Sequence, residues 1–112
     1  LIKDMPQALD YVIIEADGAK HHSLKYPAAD EPVIYPGTTD VIIVLGTWEK
    51  GRSCKDVVFR YELMQKELGT AADAVVDDSI IDTLRQVYVR KLCDSGFEGR
   101  VSCVFANERG WF

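Results

Sequence analysis

No segment of the sequence reads G-x-x-x-x-G-K-[ST], no two cysteines stand at C-x-x-C spacing, and no apolar run reaches the roughly 18 residues of a membrane-spanning helix. The first absence removes the backbone cradle that usually holds nucleotide phosphates. A magnesium–nucleotide site of that kind would therefore take its phosphate loop from residues preceding Leu1. Positive charge is in deficit as well: 13 lysines and arginines face 18 aspartates and glutamates, for a formal net charge of −5. That balance argues against a broad nucleic-acid or anionic-membrane face, since either partner needs clustered basic residues. Cys54, Cys93 and Cys103 form an odd set and nothing resembles a secretory leader, so reduced thiols in a cytoplasmic protein, acting as small buried hydrophobes, are the expectation.

What is present is an ordinary folding composition, 47% apolar and 28% charged over 112 residues, enough for one domain with a core. The chain opens on Leu1 rather than methionine. It is expected to be a single α/β domain over residues 1–112, the carboxyl-terminal portion of a larger nucleotide-binding domain. Three apolar runs, "YVIIEA" (11–16), "DVIIVLG" (40–46) and "RVSCVFAN" (100–107), are continuous or nearly so rather than alternating. Such runs suit strands covered on both faces of a parallel sheet. Between the second and third lie two helical patterns. Val57, Tyr61, Met64 and Leu68 share one face behind a candidate cap at Ser53 and ahead of Gly69. Ile81, Leu84, Tyr88 and Leu92 share another, with Ser79 and Asp82 at capping-box spacing and Ser95-Gly96 at the end. Asp77-Asp78 belongs at that helix's amino terminus, where negative charge is favourable. The grammar is α/β, a mostly parallel three-layer arrangement with about three strands and two main helices. The connection from Gly18 to Thr39 carries Pro27, Pro32 and Pro36 without a helical period, and Val33 or Ile34 is expected to anchor it in the core.

In open α/β sheets ligands sit beyond the carboxyl ends of strands, and Glu15 to Lys20 occupy that place after the first run. Glu15 and Asp17 fall on one side of an extended chain and would offer a pair of hard oxygen ligands, while Gly18 permits a sharp turn or close approach to a ligand. Lys20 and Lys25 could neutralise an anion. The competing reading makes Glu15 a turn cap and Asp17-Gly18 a solvated β-turn. His21-His22 lack partners at zinc spacing and read as solvent-facing. Arg60 stands one position off the first apolar stripe, a solvated helix arginine on spacing alone. Asn107, at the end of the last run, sits where guanine-reading sequences place Asn-Lys-x-Asp, but neither the lysine nor the aspartate follows.

The block "VIIEADGAKHHSLKYPAADEPVIYPGTTDVIIVLG" resembles the YqeC family of selenium-dependent hydroxylase accessory proteins. There a strand runs into E-A-D-G-[AS]-[KR], followed by P-L-K, A-P-A, E-P-V-I-P and the next apolar strand. "VVFRYEL" (57–63) is similar to the family's V-H-R-P-E-L, and "CVFAN" to its strand ending on asparagine; Ser23, Phe59 and Tyr61 depart from the pattern. The resemblance implies a phosphate-loop NTPase-like fold and Mg2+ with ATP or GTP as cofactor. It makes Glu15 and Asp17 the Walker-B-like catalytic and metal-directing acids, and Gly18, Lys20, Lys25, Arg60 and Asn107 the nucleotide- or anion-binding set. NTP hydrolysis would require an upstream phosphate loop. The implied partners are nucleotide and a molybdenum hydroxylase or its maturation factors; separately, a strand edge left without its upstream neighbour would invite self-association. Two other readings stand beside it: a non-catalytic maturation scaffold for a partner or a selenium species, and a Mur-ligase-like ATP-dependent enzyme.

Overall fold

The computed structural model describes residues 12–15 and 18–107. In chain order the elements are β1 (Leu24–Lys25), β2 (Asp40–Gly46), α1 (Cys54–Val57), β3 (Val58–Phe59), α2 (Tyr61–Leu68), α3 (Asp78–Asp94) and β4 (Arg100–Ala106). The second and third apolar runs form β2 and β4, which pair in parallel from Asp40↔Arg100 to Gly46↔Ala106. β1 and β3 pair in parallel as well, Leu24 with Val58 and Lys25 with Phe59. The architecture is therefore mixed α/β, built on two small two-stranded parallel sheets rather than on one sheet of about three strands.

The first apolar run departs from expectation. Val12–Glu15, its described part, is not in a strand, and Ile13 is 95% exposed. An extended segment becomes a strand when a neighbour takes up its backbone donors and acceptors. None of the described strands does so here. Tyr11, Ala16 and Asp17 lie outside the described residues.

α3 holds the expected stripe: Ile81, Leu84 and Leu92 are buried and Tyr88 packs against them. Its cap lies two residues earlier than Ser79. Asp77 occupies the N-cap and its carboxylate accepts from the Ile80 amide at 2.9 Å, with Asp78 in the first turn. Aspartate caps as well as serine does, and its charge also meets the helix dipole. Ser95 closes the helix, and Gly96 takes the left-handed conformation beyond it.

The other expected helix is broken in two. α1 stops at Val57, Val58 and Phe59 extend to pair with β1, Arg60 adopts a left-handed conformation (φ +66°), and α2 starts at Tyr61. Val57, Val58 and Phe59 are weak helix formers and good strand formers, so ladder bonds to β1 win over helix continuation. Ser53 stands at the N-cap of α1 without a side-chain capping bond, whereas Gly69 caps α2 in the left-handed conformation as expected. Val57, Tyr61 and Met64 still reach the core across the break, and Tyr61 Oη donates to the Ala71 carbonyl at 2.5 Å.

Ile43 and Leu45 of β2 join α3, α1 and α2 in one core with Leu24 and Tyr26. Ile42, on the opposite face of β2, is 62% exposed. Among the described residues, then, β2 is not buried on both faces as its continuous apolar run suggested. The proline-containing connection is packed rather than looped out: Ser23 to Pro27 are buried and Ile34 lies against the core, while Val33 is exposed. Of the thiols, Cys54 is buried, Cys103 half-buried and Cys93 exposed, so Cys93 departs from the buried-hydrophobe expectation.

The connection meets the end of β2 at Gly46, whose amide donates to the Ser23 carbonyl at 3.1 Å. A Cβ at this position would come within 2.8 Å of that carbonyl and 2.5 Å of the Trp48 ring. Gly46→Ala is expected to destabilise the protein by about 1–3 kcal/mol through overpacking against backbone that cannot step aside. Urea denaturation checks this, the shift being in midpoint with little change in slope.

Candidate functional site

β1 is a two-residue strand carrying a lysine into the interior. Pairing with β3 and the burial of Leu24 and Tyr26 on either side fix Lys25, whose side chain is only 8% exposed. Its ammonium donates to Glu31 Oε2 at 2.7 Å and to the Gly18 carbonyl at 2.9 Å. The other oxygen of the same carboxylate, Oε1, accepts from Arg60 Nη1 at 2.7 Å and from the Ala28 amide at 3.0 Å. Glu31, its side chain 15% exposed, thus gathers two cations and a backbone amide.

Several elements hold this cluster in place. The Tyr26 amide donates to the Phe59 carbonyl at 2.9 Å, keeping the chain after β1 beside β3. From α3, Tyr88 Oη donates to the Lys25 carbonyl at 3.0 Å and Lys91 Nζ to the Ala28 carbonyl at 2.6 Å. Arg60 lies over the Phe59 ring, 4.7 Å from its centroid, and the pair with Glu31 helps offset the cost of a left-handed arginine. The His22 ring stands 5.5 Å from that of Phe59, and its Nδ1 faces the Lys20 and Ala19 carbonyls at 3.0 and 3.2 Å. His22 is half-buried rather than solvent-facing; His21 is exposed. Tyr26 Oη donates to Glu67 at 2.7 Å, and burial together with this carboxylate pushes the phenol up to about 12.

Of the residues singled out from sequence, the structure brings Gly18, Lys25 and Arg60 together. The residue that joins them, Glu31, was missed; its only sequence signal was its place at the head of the "EPVIYP" block. Glu15 is exposed, close enough to Gly18 that a Cβ there would stand 3.4 Å from Glu15 Oε1. Asp17 lies outside the described residues. Lys20 is exposed at the left-handed turn that it makes with His21. Asn107 stands apart from the cluster, in a cleft beyond the carboxyl ends of β2 and β4 with Thr47, Lys50, Asp78, Asp82 and Phe105. Among the described residues no three of His, Cys, Asp and Glu converge as a ready metal cage.

The cluster can therefore position backbone: Lys25 holds the Gly18 carbonyl against a fixed interior charge pair. Removing one partner of a buried pair leaves the other uncompensated, at a cost of about 3–5 kcal/mol. Glu31→Gln is expected to approach that loss, because both Lys25 and Arg60 lose their counter-ion. Lys25→Met is expected to cost less, because Arg60 and the Ala28 amide still serve Glu31. Chemical denaturation of the two variants checks the order, and a Glu31→Gln protein as stable as wild type would contradict it.

No helix among the described residues is long and apolar enough to cross a membrane. No curated protein and no solved structure matches the chain. The sequence profile of the YqeC protein family matches residues 1–62, more than half of the chain, and this stretch contains Glu15, Gly18, Lys20, Lys25, Glu31 and Arg60. With the "EADGAK" and "EPVIYP" blocks inside the match and the Lys25–Glu31–Arg60 cluster built from it, the chain belongs to the YqeC family.

Proposed function

We propose that this chain supplies the magnesium- and phosphate-facing part of a nucleotide-binding accessory protein for the maturation of selenium-dependent molybdenum hydroxylases, on a phosphate-loop NTPase-like plan. The observation that carries the reading is the bond from buried Lys25 to the Gly18 carbonyl, which ties Gly18 to the folded core. The chain from Gly18 leads into Ser23, whose carbonyl meets the carboxyl end of parallel strand β2 at Gly46. Carboxyl ends of parallel strands are where α/β folds hold ligands.

The donor chemistry fits magnesium. Glu15 presents an exposed carboxylate with no ion pair among the described residues, and magnesium with nucleotide phosphates needs only one or two carboxylates beside water and phosphate oxygen. In this reading Glu15 and Asp17 hold the cation, the exposed Lys20 neutralises phosphate charge, and Gly18 lets the backbone approach. Lys25 and Arg60 act at one remove, since their charge is directed at Glu31. When bound, the magnesium ion would screen the phosphates. Hydrolysis would further require a phosphate loop that these residues do not contain.

A second reading, a maturation scaffold without catalysis, draws support from the exposed apolar side chains of Ile13 and Ile42, which suit a protein partner. Calorimetric titration of the intact protein with Mg-ATP and Mg-GTP separates the two. Glu15→Gln and Asp17→Asn are expected to weaken binding by about tenfold or more, or 1.4 kcal/mol, without moving the melting temperature. Unchanged affinity in both variants, or no nucleotide binding by the wild type, would overturn the magnesium reading in favour of the scaffold.

A further inference from the structure

A second cleft lies at the other end of the parallel strands, where β2 and β4 begin, and has a volume of about 450 Å3. One wall is the connection ahead of β2, which contributes Pro32, Ile34, Tyr35 and Pro36; the other is the turn between α3 and β4, which contributes Phe97 and Glu98. Both walls are fixed to the fold. Thr38 folds back on the connection, its amide and hydroxyl donating to the Tyr35 carbonyl at 3.2 and 2.7 Å, with Gly37 at a φ of +90° between them. On the opposite wall the Gly96 and Phe97 amides donate to the Cys93 and Leu92 carbonyls, each at 3.1 Å, and Phe97, like Ile34 across from it, packs against the core. The Arg100 amide joins the walls at their base by donating to the Thr39 carbonyl at 2.9 Å. Gly99 permits that approach, since a Cβ there would collide with the Thr39 carbonyl and the Phe97 ring. A cleft held in this way is formed before any ligand arrives.

The lining carries one charge. Glu98 is exposed and takes part in no ion pair or hydrogen bond among the described residues, and the hydroxyl of half-buried Tyr35 has no partner there either. The nearby Asp40 and Arg100, at the first position of each strand, are already paired with each other at 2.8 Å. Two aromatic rings and two proline rings share the lining with the Glu98 carboxylate. Aromatic faces attract cations, and a guanidinium, being flat and weakly hydrated, stacks on such surfaces while donating to carboxylate and hydroxyl oxygens. A phosphate or carboxylate would meet no cation in this lining.

The geometry points to a docking site for an arginine side chain carried by a partner polypeptide, its guanidinium set among Tyr35, Phe97 and Glu98. Charge favours such a partner at long range as well, because this chain has a net charge of −5. A free amino acid fits less well: it brings its own carboxylate to an opening whose single charge is negative. An arginine within a polypeptide brings none, and Gly37 and Gly96 leave the rims without side chains where a main chain would pass. The site is independent of the nucleotide-binding reading.

The test titrates the intact protein with acetyl-Ala-Arg-Ala-amide and with its citrulline counterpart, which keeps the shape of arginine and removes its charge, following amide NMR shifts. The arginine peptide is expected to bind at least about fivefold more tightly and to shift the amides of Gly37, Gly96 and Gly99. Glu98→Gln, at an exposed position, is expected to abolish that preference without moving the melting temperature. Asp78→Asn removes the same unit of charge at the far end of α3 and is expected to keep it. Equal or absent binding of the two peptides, an unchanged preference in Glu98→Gln, or an equal loss in Asp78→Asn would overturn the site. Free arginine binding more tightly than the peptide would overturn the polypeptide carrier. None of these outcomes bears on the magnesium reading, which the nucleotide titration tests separately.

Discussion

A carboxylate withdrawn from water must be compensated by charges and hydrogen bonds that arrive with it, and Glu31 sets this condition for much of the protein. Its two oxygens draw Lys25 from β1, Arg60 from the junction of β3 and α2, and the Ala28 amide from its own segment. The same arrangement has β1 beside β3 and a left-handed turn at Arg60, which together bring Lys25 and Arg60 to one carboxylate. The long irregular connection is thereby pinned through the interior. A buried pair of this kind adds little net stability over an apolar substitute, but it penalises every arrangement that separates its members. Here it selects one course for the chain from Gly18 to Arg60.

The elements legible in the sequence are those whose signals are local and long enough to repeat. β2 and β4 follow their apolar runs, and α3 follows the spacing of Ile81, Leu84, Tyr88 and Leu92. β1 and β3, two residues each, are too short to show a period. The break between α1 and α2 was hidden for a different reason: Val57, Tyr61 and Met64 keep helical spacing and reach the core on both sides of it. Val12–Glu15 shows the converse, a local signal without the non-local partner that would realise it.

The site was legible in part. Lys25 and Arg60 were singled out as anion-binding residues, and the structure gives their charges a destination inside the chain. Glu31 escaped notice because its pairing with Arg60 spans 29 positions, and no spacing rule reaches that far. Charged residues in a family-like block invite a ligand interpretation, but a glutamate that caps the same cations is equally polar in the sequence. Glu15 and Lys20 are exposed, and Asn107 joins a cleft lined also by Thr47 and Lys50 after β2 and by Asp78, Ile81 and Asp82 of α3, residues distant in sequence. Two electrostatic environments thus differ in burial: Glu31 gathers its two cations in the interior, whereas the pairs of Lys50 with Asp78 and Arg85 with Asp82 stand at the surface.

The stretch that identifies the family stops at residue 62, the second residue of helix α2. Its interior contacts do not stop there. The Lys25 and Ala28 carbonyls are met by Tyr88 and Lys91 of α3, and the Tyr26 hydroxyl by Glu67. Recognisable ancestry and cooperative folding consequently have different boundaries in this chain. Residues 1–62 carry the family's signature, but their shape is completed by residues that the signature does not include. A change in α3 can therefore reach the family's most characteristic segment without altering a single residue of it.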